Sequence, residues 1–232
     1  MIITFGIATY NNIENLIQTL NTIFKTMKDL KIKNYEIIII DDNSIDETKN
    51  KIKKLKNKNI KYFKNKINLG FAASIFKAAK KGKGHYFKIV HSSNIESIHD
   101  LKIYVKNLKK YQLIIPYIVD KRIFFRKFMS RFCTWILNIV SGKNLKYFQS
   151  PLLCSRKKFI SLFPKKNMGN FFLAYIIFKL TNYYDQNLVF EFGITPKFKK
   201  GSTAVSYKNL ISFFKTVIDI GIFRIKKNQN ND

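Results

Sequence analysis

The sequence predicts an α/β fold: a mostly parallel sheet flanked by helices, followed by an amphipathic C-terminal helix. Three observations predict it. Short β-branched segments alternate with helix-length segments through the N-terminal half, the pattern of βαβ units. The run Ile37-Ile38-Ile39-Ile40 is apolar on both faces, which fits a strand covered by helices on both sides. Residues 207–227 place large apolar residues among lysines and arginines, as an amphipathic helix does.

The elements follow in order. Residues 2–8 (IITFGIA) are expected as a strand. Residues 12–29 are expected as a helix, because Ile13, Leu16, Ile17, Leu20, Ile23, Phe24 and Met27 share one face at helical spacing. A strand at 35–41, a lysine-rich helix at 45–56 and a short strand at 60–63 come next. They are followed by a helix at 70–81, a strand at 85–90, a helix at 98–109 and a strand at 112–115. After Pro116 the character changes. Residues 122–140 interleave Arg122, Arg126, Lys127 and Arg131 with Phe124, Phe125, Phe128, Phe132 and Trp135, so a helix there is basic on one side and aromatic on the other. The expected organisation is one domain over residues 1–206 and a basic helix with a polar tail over 207–232.

Composition narrows the function classes. The 232 residues can bury a sizeable core, and 46% hydrophobic with 15% aromatic residues excludes a disordered polymer. Cys133 and Cys154 show neither a metal-binding spacing nor a disulfide framework and fit a reducing compartment. The N-terminus lacks the basic region and cleavage site of a secretory signal, and no uninterrupted apolar run of about 18 residues is present to span a membrane. The expected location is cytoplasmic, peripheral on the inner face of the membrane. The formal charge of +29 favours a polyanionic partner, and a general enrichment in lysine is the plainer source of that charge. Basic amphipathic helices with large aromatics suit an anionic membrane surface; the alternative is that they pack on the domain and turn their lysines to water. A nucleic-acid partner is not expected, since no binding module is recognisable.

Ligands of open parallel sheets gather outside the carboxyl ends of the strands. Polar clusters stand at each of these ends. Thr9-Tyr10-Asn11-Asn12 follows the first strand, and Asp41-Asp42-Asn43-Ser44 follows the second. Asn65-Lys66-Ile67-Asn68-Leu69-Gly70-Phe71-Ala72-Ala73-Ser74 opens the third helix, and His91-Ser92-Ser93-Asn94 closes the strand at 85–90. For the acidic pair, the plain alternative is a turn opened by Asp42 and Asn43 with Ser44 or Asp46 capping the next helix.

The order and spacing of these clusters resemble the family-2 glycosyltransferases, specifically over residues 2–94 and more loosely to about 205. The resemblance implies a GT-A-like, Rossmann-related fold that binds a nucleotide sugar as donor. Later residues look most like the dolichyl- or polyprenyl-phosphate sugar transferases, which implies a lipid-phosphate or surface-glycan acceptor and inversion of configuration. It assigns donor contacts to Thr9, Tyr10, Asn12, Asp41, Asp42, Asn68, Gly70, Ala73 and Ser93. Small residues such as Gly70 and Ala73 permit close approach of a ligand.

The family places a D-x-D motif at the end of the 85–90 strand to hold Mg2+ or Mn2+. Here the slot reads His91-Ser92-Ser93, with Glu96 just beyond, so His91, Ser93 and Glu96 are the metal candidates and the ion itself is in question. Arg122, Arg126 and Arg131 fall where the lipid-phosphate enzymes place arginines near phosphates, a role suited to the planar guanidinium fork. Gln149-Ser150-Pro151 falls in the acceptor-side segment, with Tyr147 where an acid is usual. Lys199 or Lys200, before Gly201-Ser202, matches a basic phosphate contact. Arg122, Arg131 and Lys200 are therefore the expected catalytic cations. The sequence-level alternative is a degenerate member that binds nucleotide or a partner without transfer.

Overall fold

A computed structural model of the chain describes residues 3–119, 124–164, 169–196 and 207–229. Seven strands form one sheet: β1 (Ile3–Thr9), β2 (Tyr35–Asp41), β3 (Ile60–Lys64), β4 (Tyr86–His91), β5 (Leu113–Ile118), β6 (Leu153–Ser155) and β7 (Val189–Ile194), in the order β3-β2-β1-β4-β6-β5-β7. Only β6 runs against its neighbours β4 and β5; the other pairs are parallel. The described helices are α1 (Ile13–Asp29), α2 (Thr48–Lys54), α3 (Phe71–Lys81), α4 (Ile98–Asn107), α5 (Phe124–Ser141), α6 (Arg156–Leu162), α7 (Phe172–Tyr183) and α8 (Tyr207–Gln229).

The isoleucine run explains the layering. All four side chains from Ile37 to Ile40 are fully buried, and they divide by strand alternation. Ile37 and Ile39 join a core with Leu16, Leu20 and Ile23 of α1 and Leu101 and Tyr104 of α4. Ile38 and Ile40 join a second core with Ile75, Ala78 and Ala79 of α3 and Phe172 and Ile176 of α7. A sheet with helices on both faces is therefore what the sequence pattern required.

The strands and helices expected as far as 115 are present, with shifted ends. α2 begins at Thr48 rather than 45, because Asp46 accepts from the Thr48 backbone N–H at 3.1 Å and holds the preceding residues in a loop. β5 continues through Pro116 to Ile118. Proline is tolerated there because β6 pairs only with Leu113 and Ile114, so beyond them β5 is flanked by β7 alone. β6 and β7, with α6 and α7 between them, carry no strong local pattern and enter the sheet through long-range pairing.

The opposite end of the sheet is pinned by Glu36. Its carboxylate accepts from Thr4 Oγ1 at 2.7 Å, from Lys61 Nζ at 2.7 Å and from the Gly84 backbone N–H at 3.1 Å. This fixes β1, β2, β3 and the turn before β4 in common register, so the far ends of these strands project together.

α8 lies against α5 and α7, with Phe213, Thr216 and Ile220 buried. Arg224 Nη1 donates to the carbonyls of Ile139 at 2.9 Å and Val140 at 3.3 Å, placing a cation at the carboxyl end of α5. No described helix is long and apolar enough to cross a membrane.

Close packing of α3 and β4 against β1 makes one position sensitive to a single methyl. A Cβ on Gly6 would stand 2.4 Å from the Phe87 ring and 3.3 Å from Ala78 Cβ. Gly6→Ala is expected to destabilise the fold by about 1–3 kcal/mol through overpacking, read as a lower urea midpoint.

Candidate functional site

At the carboxyl ends of β1, β2 and β4 the chain needs sharp reversals. Asn11, Asn43 and Asn94 supply them with φ values of 46°, 72° and 52°, the left-handed region that asparagine tolerates. The reversals are tied to one another. The Asn11 backbone N–H donates to Ser44 Oγ at 2.9 Å, and Asn11 Oδ1 accepts from the Ile45 N–H at 2.9 Å. Asn12 Nδ2 reaches the Ser92 carbonyl at 3.2 Å, linking the loops after β1 and β4. The three loops thus form one rigid rim.

Beneath the rim lies a cleft of about 770 Å³, lined on one side by Thr9, Tyr10, Asn12, Asp42, His91 and Ser93 and on the other by Arg126, Tyr147, Gln149 and Pro151. Asp42 is its anionic floor. Oδ1 accepts from Asn65 Nδ2 at 2.7 Å, the Leu69 N–H at 2.9 Å and Ser74 Oγ at 3.1 Å, while Oδ2 accepts from the Gly70 N–H at 2.7 Å. Gly70 itself takes a φ of +85° so that α3 can start there. Thr9 is 2% exposed, and among the described residues its Oγ1 has no hydrogen-bond partner. A buried hydroxyl on a cleft wall without a partner is a natural contact for a ligand. Tyr10 is exposed at the mouth.

His91 stacks on Phe71 with ring centroids 5.0 Å apart and planes 8° from parallel. Burial, reinforced by the Lys88 ammonium, pushes the imidazole pKa down to about 4. It is neutral at physiological pH and presents a neutral hydrogen-bonding edge to the cleft.

Lys88, in mid-strand and fully buried, was not visible as a site feature in the sequence. Its Nζ donates to Glu96 Oε1 at 2.7 Å, the Ile89 carbonyl at 2.7 Å and the Pro151 carbonyl at 3.1 Å, and lies 3.8 Å from the Tyr104 ring centroid. Burial works against both charges, lowering the lysine pKa and raising that of Glu96, while the attraction between the two and the hydrogen bond joining them oppose it. The pair fastens the cleft wall at Pro151 to β4.

With this geometry in view, the sequence of residues 4–169 matches the description Glycosyl transferase family 2. The chain belongs to that family. Solved structures give the same fold. Glucosyl-3-phosphoglycerate synthase from Mycobacterium tuberculosis, in complex with Mn2+, UDP and phosphoglyceric acid, is 12% identical with a TM-score of 0.69 over 94% of this chain and 78% of that one. S. aureus TarS 1–349 in complex with UDP-GlcNAc is 17% identical with a TM-score of 0.67, over 96% of this chain and 66% of that one. No curated protein matches the chain by sequence.

Within the family-2 frame the expected contacts separate. Thr9, Tyr10, Asn12, Asp42, His91 and Ser93 line the cleft, whereas Asp41 does not. The Asp41 carboxylate accepts from the Ser44 N–H at 2.7 Å and from the Tyr62 hydroxyl, whose proton is retained because burial and Asp41 raise its pKa. Asn68, Gly70 and Ala73 do not line the cleft; the Gly70 N–H bonds Asp42 and is shared with Asn68 Oδ1, which accepts from it at 3.2 Å. Arg131 is exposed on α5 away from the lining, and Arg126, five residues earlier, takes the position in the cleft. Arg122, Lys199, Lys200 and Ser202 lie outside the described residues.

The donor set does not fit a divalent ion of the D-x-D kind. Glu96 is withdrawn onto Lys88, the Asp42 oxygens already take four donors, and neutral His91 and Ser93 remain. Among the described residues no cluster of three His, Cys, Asp or Glu side chains is present. Mg2+ in particular favours charged oxygen donors.

Two measurements probe this architecture. Lys88→Met leaves Glu96 buried and unpaired and is expected to cost about 3–5 kcal/mol in urea denaturation, with Lys88→Met/Glu96→Leu recovering most of the loss. The second concerns His91. Unfolded, the imidazole takes its proton near 6.5; folded, it does so near 4. Between these values the unfolded chain binds more protons, so stability falls as pH drops from 6.5 toward 4. His91→Phe, which keeps the ring on Phe71, is expected to flatten that part of the curve; an unchanged slope would show that the histidine is not enclosed.

Proposed function

We propose that the protein transfers a sugar from a nucleoside diphosphate donor to a phosphate-bearing lipid acceptor. The observation that carries this reading is the cleft at the ends of β1, β2 and β4, which sets an anion, an exposed aromatic ring and an arginine around one space in a family-2 chain. Tyr10 would lie against the base, and Thr9 Oγ1 would hydrogen-bond base or ribose beside the Asp42 floor. The UDP and UDP-GlcNAc complexes of the similar folds support a donor of this class.

The described donor set does not fit a divalent ion that would bear the diphosphate charge. That charge falls instead to Arg126, with Arg122, four residues earlier in the sequence, and Lys199 and Lys200 as further cations. Arginine binds phosphate oxygens through two parallel N–H bonds and keeps its charge at any working pH.

The acceptor follows from the bases available. Asp42 has its oxygens committed, and His91 with a pKa of about 4 is too weak a base to deprotonate a sugar hydroxyl. A phosphate monoester needs no such help, since it is already anionic near neutrality. Its oxygen attacks the anomeric carbon; the bond from that carbon to the diphosphate oxygen breaks, and the nucleoside diphosphate leaves with the electron pair. This favours lipid phosphate over a glycan hydroxyl as acceptor, and the intact cleft favours transfer over binding alone.

Calorimetric titration with UDP- and GDP-sugars in EDTA is expected to show binding, and Arg126→Ala to weaken it by about 10- to 100-fold. Absence of binding with any nucleotide sugar, with or without Mn2+, would sink the proposal. Binding that requires Mn2+ would overturn the metal-free arrangement alone.

A further inference from the structure

α5 and α8 bury one side and leave large apolar residues on the other. On α5, Phe124, Phe128, Phe132, Trp135 and Ile139 are all exposed, Phe124 by 82% and Trp135 by 59%. At 100° per residue these five fall within an arc of about 80°. Phe132 stacks between Phe128 and Trp135, with centroids 6.3 and 6.0 Å away. On α8, Ile211, Phe214, Ile218, Ile222 and Ile225 are likewise exposed and span an arc of about 80°. The two helices are joined where Arg224 bonds the end of α5: Ile139, whose carbonyl takes that bond, is exposed, as are Ile222 and Ile225 within a turn of Arg224 on α8.

Cations border both stripes. Lys127 and Arg131 flank the α5 row, and Lys215 and Lys226 flank the α8 row. α5 has no carboxylate, and the single one on α8, Asp219, is half-buried near Tyr175. Soluble proteins seldom expose apolar rows of this extent, and such rows mark a surface that something covers.

We infer that α5 and α8 together dock on the headgroup–acyl boundary of a bilayer containing anionic lipid. Charge selects this occupant. A second copy would bring another +29 chain with the same cationic borders against the patch. Single-stranded nucleic acid would find aromatic faces on α5, but the α8 row is four isoleucines with one ring, Phe214, and offers no run of faces for successive bases to stack on. An interface that accepts aliphatic and aromatic side chains between anionic headgroups satisfies both rows and their borders. The docking surface does not depend on the transfer reading, yet the two meet on α5. Arg126 lies about 120° or more around the helix from the stripe, so the face turned from the membrane carries the arginine of the cleft.

Co-sedimentation of the full chain with phosphatidylcholine vesicles, with and without about one-third phosphatidylglycerol, tests the inference. Binding is expected to be about tenfold tighter with the anionic lipid and to weaken, without vanishing, as salt rises. Phe128→Ser/Trp135→Ser and Ile218→Ser/Ile222→Ser are each expected to reduce it about tenfold, and Lys215→Ala/Lys226→Ala severalfold. Because the changed side chains face solvent, circular dichroism and solution titration of nucleotide sugar should be unaltered, which separates failure here from failure of the donor reading. No vesicle binding, or binding untouched by both serine pairs, overturns the inference. So does a concentration-dependent dimer abolished by the serine pairs, or tighter binding to a single-stranded oligonucleotide lost in the same variants.

Discussion

The candidate site depends on how Asp42 is held. Its carboxylate takes four donors, three of them from residues 69–74 and two of them backbone N–H groups at the start of α3. Such a cage sets a carboxylate against the amino end of a helix, where the dipole complements it. The loop after β3 and the first turn of α3 are positioned by that charge. Phe71, the first residue of α3, then supports His91 by stacking. Two walls of the cleft are therefore organised from one buried carboxylate rather than from a bound ion.

The rest of the molecule keeps that carboxylate in place. Glu36 sets the register of β1, β2 and β3 at one end of the sheet, and the two isoleucine faces lock β2 between helical layers. The cost of charged groups inside the fold is met by dense hydrogen bonding at three places: Glu36, Asp42 and the Lys88–Glu96 pair. The Glu36 and Asp42 carboxylates contact residues distant in sequence or a helix start, so each acts as a register pin; in the third place that role falls to Lys88, which bonds the Pro151 carbonyl.

Much of the fold was legible because its signals are local. α1 shows a 3.6-residue period and β2 an apolar run, and neither needs knowledge of partners to be recognised. The difference between Asp41 and Asp42 was harder. Strand alternation puts Asp41 on the Ile37 and Ile39 face and Asp42 on the Ile38 and Ile40 face, toward α3; only the placement of α3 shows that the second face opens to the cleft. Lys88, and the part Glu96 plays as its partner rather than as a metal candidate, were hidden because a lysine in a strand reads as a surface residue and the two are eight residues apart, across a loop. The wall at residues 147–151 needed β6 to be inserted antiparallel between β4 and β5, a pairing with no local signature. The aromatic row of α5 was plain as a pattern, but periodicity alone does not say whether such a row faces a core or solvent.

The Pro151 carbonyl receives both the Lys88 ammonium and, at 2.7 Å, the Tyr104 hydroxyl, while Ser150 Oγ bonds the Pro116 carbonyl. Proline adds a fixed φ to these anchors. This side of the cleft is consequently anchored as a template rather than hinged as a jaw. A ligand meeting such a wall loses its own freedom but does not have to order the wall as well, which lowers the entropic cost of association.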